Sequence, residues 1–345
     1  MVANKLQTPK PNGKALSTFL TNNAIYIILL ALLVAIVAME PAFVSIINLR
    51  NILSQASTRV IIALGVGGIL ITGGTDLSAG RLVGLTAVVS SSLLQATDYA
   101  YRMYPALQKL PIILPILLCA GIGAAFGLIN GTAVAVFKVP PFIATLGMMV
   151  IVYGITSIYF DRPPYGAQPI GGLDKDFMEF AQNSLFKGNL AIPYLVLYAI
   201  AVAGVIWLIW NKTRLGKNMY AIGGNPDAAI VSGVNVTKTL LVIYAIAGAL
   251  YGFAGTLEAA RIGSATNNTG NMYELDAIAA AVVGGVSTSG GIGTVPGIVT
   301  GVLIFQVINY GLNFIGVNPY VQYIVKGLII VVAVAIDIRK YIRKK

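Results

Sequence analysis

Apolar positions in this chain form long continuous runs. They fall at about residues 24–39, 60–73, 80–97, 112–137, 141–160, 191–210, 238–257, 276–290, 297–314 and 320–338, with short polar gaps between them. A helix crossing a bilayer needs about 20 apolar residues, and in lipid an isolated run satisfies its backbone only as a helix. The pattern therefore predicts an all-α integral membrane protein, a polytopic bundle of about ten transmembrane helices. The second and eighth runs are short for a crossing and read as broken or partly buried helices. Residues 24–39 have the length of a signal-peptide core, but no small-x-small site follows, so they read as an uncleaved first helix.

Two polar interruptions stand out. Residues 211–238, NKTRLGKNMYAIGGNPDAAIVSGVNVTK, hold a short helix with its own punctuation at about 226–232. Asn225 is suited to cap it, Pro226 to occupy its first position, Asp227 to sit at the positive helix end, and Gly233 to end it. Residues 161–190 open with Pro/Gly-rich turns and continue as KDFMEFAQNSLF, whose apolar spacing suits a helix lying on the membrane surface.

Composition agrees with the pattern. The chain is 57% hydrophobic and only 10% charged, against about 25% charged in soluble domains. Its net charge of +11 is clustered at Lys5, Lys10 and Lys14, at Lys212, Arg214, Lys217 and Lys238, and at Arg339, Lys340, Arg343, Lys344 and Lys345. Under the positive-inside rule all three clusters are cytoplasmic, which an even number of crossings satisfies. The charge thus reads as topology, with no nucleic-acid partner. The expected organisation is a cytoplasmic tail at 1–23, one membrane domain at 24–338 with a cytoplasmic loop at 211–237, and a basic cytoplasmic tail at 339–345.

Chemistry is sparse. There is no histidine and one cysteine, Cys119, so the usual zinc sites and His-based nucleophiles cannot be built. No G-x-x-x-x-G-K-[ST] phosphate loop is present, so an ATP engine of that type must lie on another subunit. Acids are scarce: within these runs or their short inner turns stand only Asp76, Asp276 at the first position of the eighth run, and Asp337 near the end of the last, which disfavours ion-coupled transport. Motifs of membrane-embedded hydrolases are also missing. Glycines four apart, at 123/127/131, 248/252 and 297/301, predict close helix packing.

The segments ALGVGGILITGGTDLSAG (63–80), PPFIATLGMMVIVYGI (140–155), GKNMYAIGGNPDAAIVSGVNV (216–236) and VGGVSTSGGIGTVPGIVTGVLI (283–304) resemble the membrane subunits of bacterial ABC sugar importers, the ribose/galactose permease group. GTDLSAGRLVGL, ARIGSATNNTGNMYELDAIAA and NYGLNFIGVNPYVQYIVKG look most like its galactose/methyl-galactoside branch. Thr75 and Ala79 depart from the wider group's GGIDLSVG toward that branch.

The resemblance implies a type II importer in the bacterial inner membrane, with both termini cytoplasmic. It implies two copies of this subunit, two ATPase subunits that carry ATP and Mg, and a periplasmic sugar-binding protein. This chain would then be non-catalytic and bind no cofactor or metal, and would pass galactose or methyl galactoside, with glucose as a further cargo and ribose or another monosaccharide as the alternative. The segment at 226–232 becomes the coupling helix, with Gly216, Asn225, Pro226, Asp227, Ala228, Ala229 and Gly233 as its residues. Ala228 and Ala229 are expected to permit close seating on the ATPase.

Asp76, in GGTDLSAG, is suited to cap the next helix, and an acid at an intramembrane helix break is a pathway candidate. Asn130, Gln306 and Asn309 are polar groups inside apolar runs, suited either to line a sugar path or to bridge helices. Lys326 is expected to pair with Glu274 or Asp276. Arg50, Arg59 and Arg261 are candidates for meeting acidic residues of the binding protein.

Overall fold

The computed structural model describes residues 24–162, 166–186, 188 and 191–342. The expected tail at 1–23 and the last basic residues, 343–345, lie outside the described residues. The chain is almost wholly helical: α1 (Ala24–Met39), α2 (Ile46–Ile71), α3 (Ala79–Leu93), α4 (Ile113–Ala135), α5 (Pro141–Phe160), α6 (Lys175–Gln182), α7 (Tyr194–Lys212), α8 (Arg214–Gly224), α9 (Pro226–Val231), α10 (Val236–Ile262), α11 (Tyr273–Val283), α12 (Val295–Phe314) and α13 (Pro319–Ile342). A two-stranded antiparallel ribbon pairs Ser184–Leu185 with Ile192–Pro193.

Each of the ten apolar runs coincides with a helix. Among the described residues six helices, α2, α4, α5, α7, α10 and α12, are long and apolar enough to cross a membrane. The expectation of a short second helix needs correction. Helix α2 has 26 residues, because Asn48, Arg50, Asn51, Gln55 and Arg59 dilute the hydropathy of its first half without interrupting the helix. Its start is fixed by Ser45, whose hydroxyl accepts from the Asn48 amide. The two shortest of the ten, as described, are α3 and α11, of 15 and 11 residues, the third and eighth.

Helices α2 and α10 are the inner staves, with 78% and 56% of their apolar windows buried, against 22–33% for α4, α5 and α7. The outer helices expose Leu117, Ile143, Val150, Ile158 and Ile200, side chains suited to lipid. The glycine stripes act as their spacing implies. A Cβ on Gly123 would lie 2.0 Å from the Gly248 carbonyl oxygen, and one on Gly252 would lie 2.1 Å from that of Cys119, so α4 and α10 pack backbone to backbone. Gly297 and Gly301 of α12 seat in the same way on Gly284 and Ala280.

At the end of the bundle opposite α8 and α9, the surface helix expected in the 161–190 loop forms as α6, shorter than the apolar spacing implies. Lys109 ties its start down, reaching Asp174 at 3.0 Å and Asp176 at 2.6 Å. The hydrogen bond from Lys109 holds the Asp176 carboxyl below its usual value.

Candidate functional site

The 211–238 segment folds as two helices. Thr213 caps α8, its hydroxyl accepting from the Gly216 amide at 3.3 Å. Asn225 caps α9, accepting from the Ala228 amide at 3.0 Å, and Pro226 takes the first position. The stop is a left-handed Gly233 (φ +82°), with Gly233 N donating to Ile230 O and Val234 N to Ala229 O. Helix α9 therefore runs Pro226–Val231, one residue shorter than the sequence pattern implies.

Two residues of this segment, Ala229 and Gly216, sit differently from expectation. Ala229 is 3% exposed and faces its own bundle, because consecutive helix positions point about 100° apart. Ala228 stays exposed beside Asn225, Pro226 and Asp227. The outward apolar tip is Ile230 and Val231, the latter 89% exposed. Gly216 is buried, and a Cβ there would lie 2.0 Å from the Trp210 carbonyl oxygen, so it forms the joint between α7 and α8.

Helix α8 is fastened to the membrane domain at two points. The Tyr220 hydroxyl donates to Gly293 O at 2.8 Å, and partial burial raises this phenol above its usual value, keeping it a neutral donor. Gly223 packs directly on the end of α2: a Cβ there would lie 1.8 Å from Ile71 O and 2.4 Å from Gly291 N. Gly291 N in turn donates to Ile71 O at 2.8 Å. The helix carrying α9 thus touches both the α2 end that leads into Asp76 and the α11–α12 turn.

Asp76 is 2% exposed. Its Oδ1 accepts from the Ser78 amide at 2.8 Å and the Ser78 hydroxyl at 2.6 Å, an Asx-type turn that shapes the entry to α3. It does not cap the first turn of α3, as the sequence had implied. Asn130, 1% exposed, donates to the Ser78 hydroxyl at 3.0 Å. Asn130 thus ties α4 to the Asp76–Ser78 turn, and both side chains are buried in this conformation. Thr145 of α5 braces the same turn, accepting from Leu77 N and donating to Thr75 O, each at 3.1 Å. Asp76→Asn keeps an acceptor for Ser78 and is expected to leave protein level and melting temperature unchanged. Asp76→Leu strands the Ser78 donors and is expected to cost about 1–3 kcal/mol, read as a lower melting temperature in detergent.

Gln306 and Asn309 come together beside Arg59 and Asp276, in a cavity of about 10 Å³. Gln306 donates to Gln55 of α2 at 2.9 Å. Lys326 pairs with Asp276 at 3.1 Å, so of its two expected partners Asp276 is the one engaged.

The three arginines are tied into the fold. Arg50 donates to the Gly188 carbonyl. Arg59 lies over the Tyr273 ring, 3.1 Å from its centroid. Arg261 makes two bonds to Glu258, at 2.8 and 3.1 Å. Each is only half-buried, but Arg59 and Arg261 are engaged with α11 and α10 and are not free at the surface.

Glu258 was missed in the sequence because the apolar run ends at 257. Helix α10 continues to Ile262, and Glu258 is fully buried, also accepting from Thr58 and Tyr273 at 2.8 Å each. Its signal was the acid–base pair three residues apart. A second missed feature is the loop at 264–271, SATNNTGN, which enters the bundle between α10 and α11. A Cβ on Gly84 would lie 2.3 Å from Thr269 O, and one on Gly80 would lie 2.3 Å from Gly270 O and 2.0 Å from Glu274 Oε2. The starts of α3 and α11 therefore meet inside the domain, an arrangement of two broken helices that marks the binding region in many transporters.

Residues 48–334 match the family described as branched-chain amino acid transport system / permease component. The chain belongs to this permease family. It is 58% identical over 334 residues to the galactose/methyl galactoside import permease protein of Escherichia coli (strain K12), covering 97% of this chain and 99% of that one. The protein so named in Haemophilus influenzae is 57% identical over 326 residues, 94% and 96% of the two chains. The ribose import permease protein of Bacillus subtilis (strain 168) is 37% identical over 314 residues, 90% and 91%. No solved structure matches the chain. These permease relatives are matched over 91–99% of their length, and the family match at residues 48–334 includes α8, α9 and the turns before α3 and α11.

Proposed function

We propose that this chain is the membrane subunit of an ATP-driven importer that passes galactose and methyl galactoside into the cytoplasm. The carrying observation is 58% identity, over 97% of the chain, to a galactose/methyl galactoside import permease. The family description names amino acids, but the sugar permeases match along the full chain. The ribose permeases stand further off, at 37%.

In this reading ten helices cross the inner membrane, with α3 and α11 completing their crossings through the non-helical stretches that precede them. Both termini and α8–α9 then lie on the cytoplasmic side, as the basic residues Lys212, Arg214, Lys217 and Lys238 favour. Two copies of the chain assemble with two ATPase subunits, which bind ATP and Mg, and take sugar from a periplasmic binding protein. The subunit is not an enzyme. Helix α9 seats in the ATPase, with Ala228, Ile230 and Val231 outward and Asn225 and Gly233 fixing its ends. Gln306 and Asn309, with Arg59 and Asp276, are the polar positions of the path, and Asp76 and Asn130 hold the turn beside it. Arg50 and the α6 surface face the binding protein, and Arg261 supports that face through Glu258.

A strain lacking this subunit is expected to regain galactose uptake when the chain is restored; recovery of ribose uptake alone would reassign the cargo. Val231→Asp is expected to lower recovery of the ATPase with the permease by at least about tenfold, since burying an exposed valine is worth about 1.5–3 kcal/mol. Unchanged co-purification would remove α9 as the docking element.

A further inference from the structure

We propose that the 264–271 loop, with Arg81 of α3 and Tyr153 and Ser157 of α5, forms a contact site for sugar hydroxyls inside the permease. The inference rests on the sugar-permease reading and names a site of contact within it. Six of the eight loop residues, SATNNTGN, carry side chains that hydrogen-bond, yet the loop does not stay at the surface. Thr269 lies against Gly84, nine residues before the end of α3 at Leu93 and so about 13 Å down that helix. Gly270 reaches Gly80, one turn deeper.

Polar backbone and side chains at such depth are tolerated where they are buried in protein or line a water-filled cavity, and this loop is only partly buried. Asn268 is exposed, while Thr266, Asn267, Thr269 and Asn271 are half-buried. The groups around it extend the same chemistry. Arg81 donates to Asn271 Oδ1 at 2.6 Å and lies 4.4 Å above the Tyr153 ring. Asn267 donates to Ser157 Oγ at 3.4 Å. Among the described residues Arg81 makes no ion pair within 4 Å, and its Nη1 has no hydrogen-bond partner. Neutral amides and hydroxyls, one guanidinium and one aromatic face suit a polyol: the amides and guanidinium meet hydroxyls, and the tyrosine ring meets the C–H face of the sugar.

The test is uptake by the complete importer in proteoliposomes, using one preparation of binding protein loaded with galactose, methyl galactoside or 2-deoxygalactose. Because the binding protein is common to all variants, a changed preference arises in the permease. Asn268→Ala, at an exposed position, and Arg81→Lys, which keeps the charge, are each expected to shift at least one ratio of these uptake rates by threefold or more. Unchanged ratios in both variants, whether the absolute rates fall together or stay as they are, overturn the site and assign the loop a packing role. Failure of the unsubstituted importer to take up any of these sugars overturns the sugar reading itself, a separate result.

Discussion

Gly223→Ala is expected to cut sugar uptake by about 5- to 150-fold while Gly224→Ala, one residue along, leaves it within about twofold. A Cβ at 223 would fall 1.8 Å from Ile71 O and 2.4 Å from Gly291 N, whereas one at 224 meets nothing within 4 Å. The clash is with backbone, which no side-chain rotation relieves, so α8 must lift from the end of α2 and from the α11–α12 turn. Forcing extra carbon into a packed junction costs about 1–3 kcal/mol, and a coupling energy of that size is about 5–150-fold in an equilibrium. Because α9 projects from this helix, the loss should fall on delivery of sugar per ATP hydrolysed. Tyr220→Phe, which removes only the bond to Gly293, should show a smaller loss of the same kind. Equal uptake in the Gly223 and Gly224 variants would show that the junction transmits nothing.

Glu258→Ala is expected to destabilise the permease by about 3–5 kcal/mol, as removal of one member of a buried ion pair does. The carboxylate accepts from Arg261 twice, from Thr58 and from Tyr273, drawing α2, α10 and the start of α11 together. Its loss leaves Arg261 without its partner and the half-buried Tyr273 hydroxyl without its acceptor, while Thr58 keeps only its bond to Gln55 O. The expected readout is a melting temperature in detergent several degrees lower, with less folded protein recovered. Replacing Glu258 and Arg261 together by methionine should recover much of the loss, because the unpaired charge is then gone. A Glu258 variant as stable as the parent would show that Arg59 and Arg261 are compensated elsewhere.

These two sites differ in how far the sequence discloses them. Each of the ten apolar runs falls on a helix, and six of these helices are, among the described residues, long and apolar enough to cross a membrane, since a lipid-facing helix must be apolar along its length. Asn225, Pro226 and Gly233 disclose α9, since capping is a local matter. Hydropathy fails where polar side chains of a helix are met by protein groups: α2 carries Asn48, Arg50 and Arg59 ahead of its apolar run, and α10 buries Glu258 past the end of its own. The 264–271 loop carries part of the family resemblance, but its place inside the bundle is not legible because its neighbours on α3, Gly80 and Gly84, are nearly 190 residues away in sequence. Ala229 was misplaced for a related reason: the helix is legible, but which face it turns inward depends on where α8 docks.

The central claim is that this chain passes galactose only as part of an ATP-driven assembly. The most direct measurement is radiolabelled galactose uptake into proteoliposomes holding this chain, its ATPase and its binding protein, with each component and ATP omitted in turn. Uptake that requires all three proteins and ATP, and that ribose does not match, is the predicted result. Galactose uptake by this chain alone, driven by an ion gradient, would contradict it.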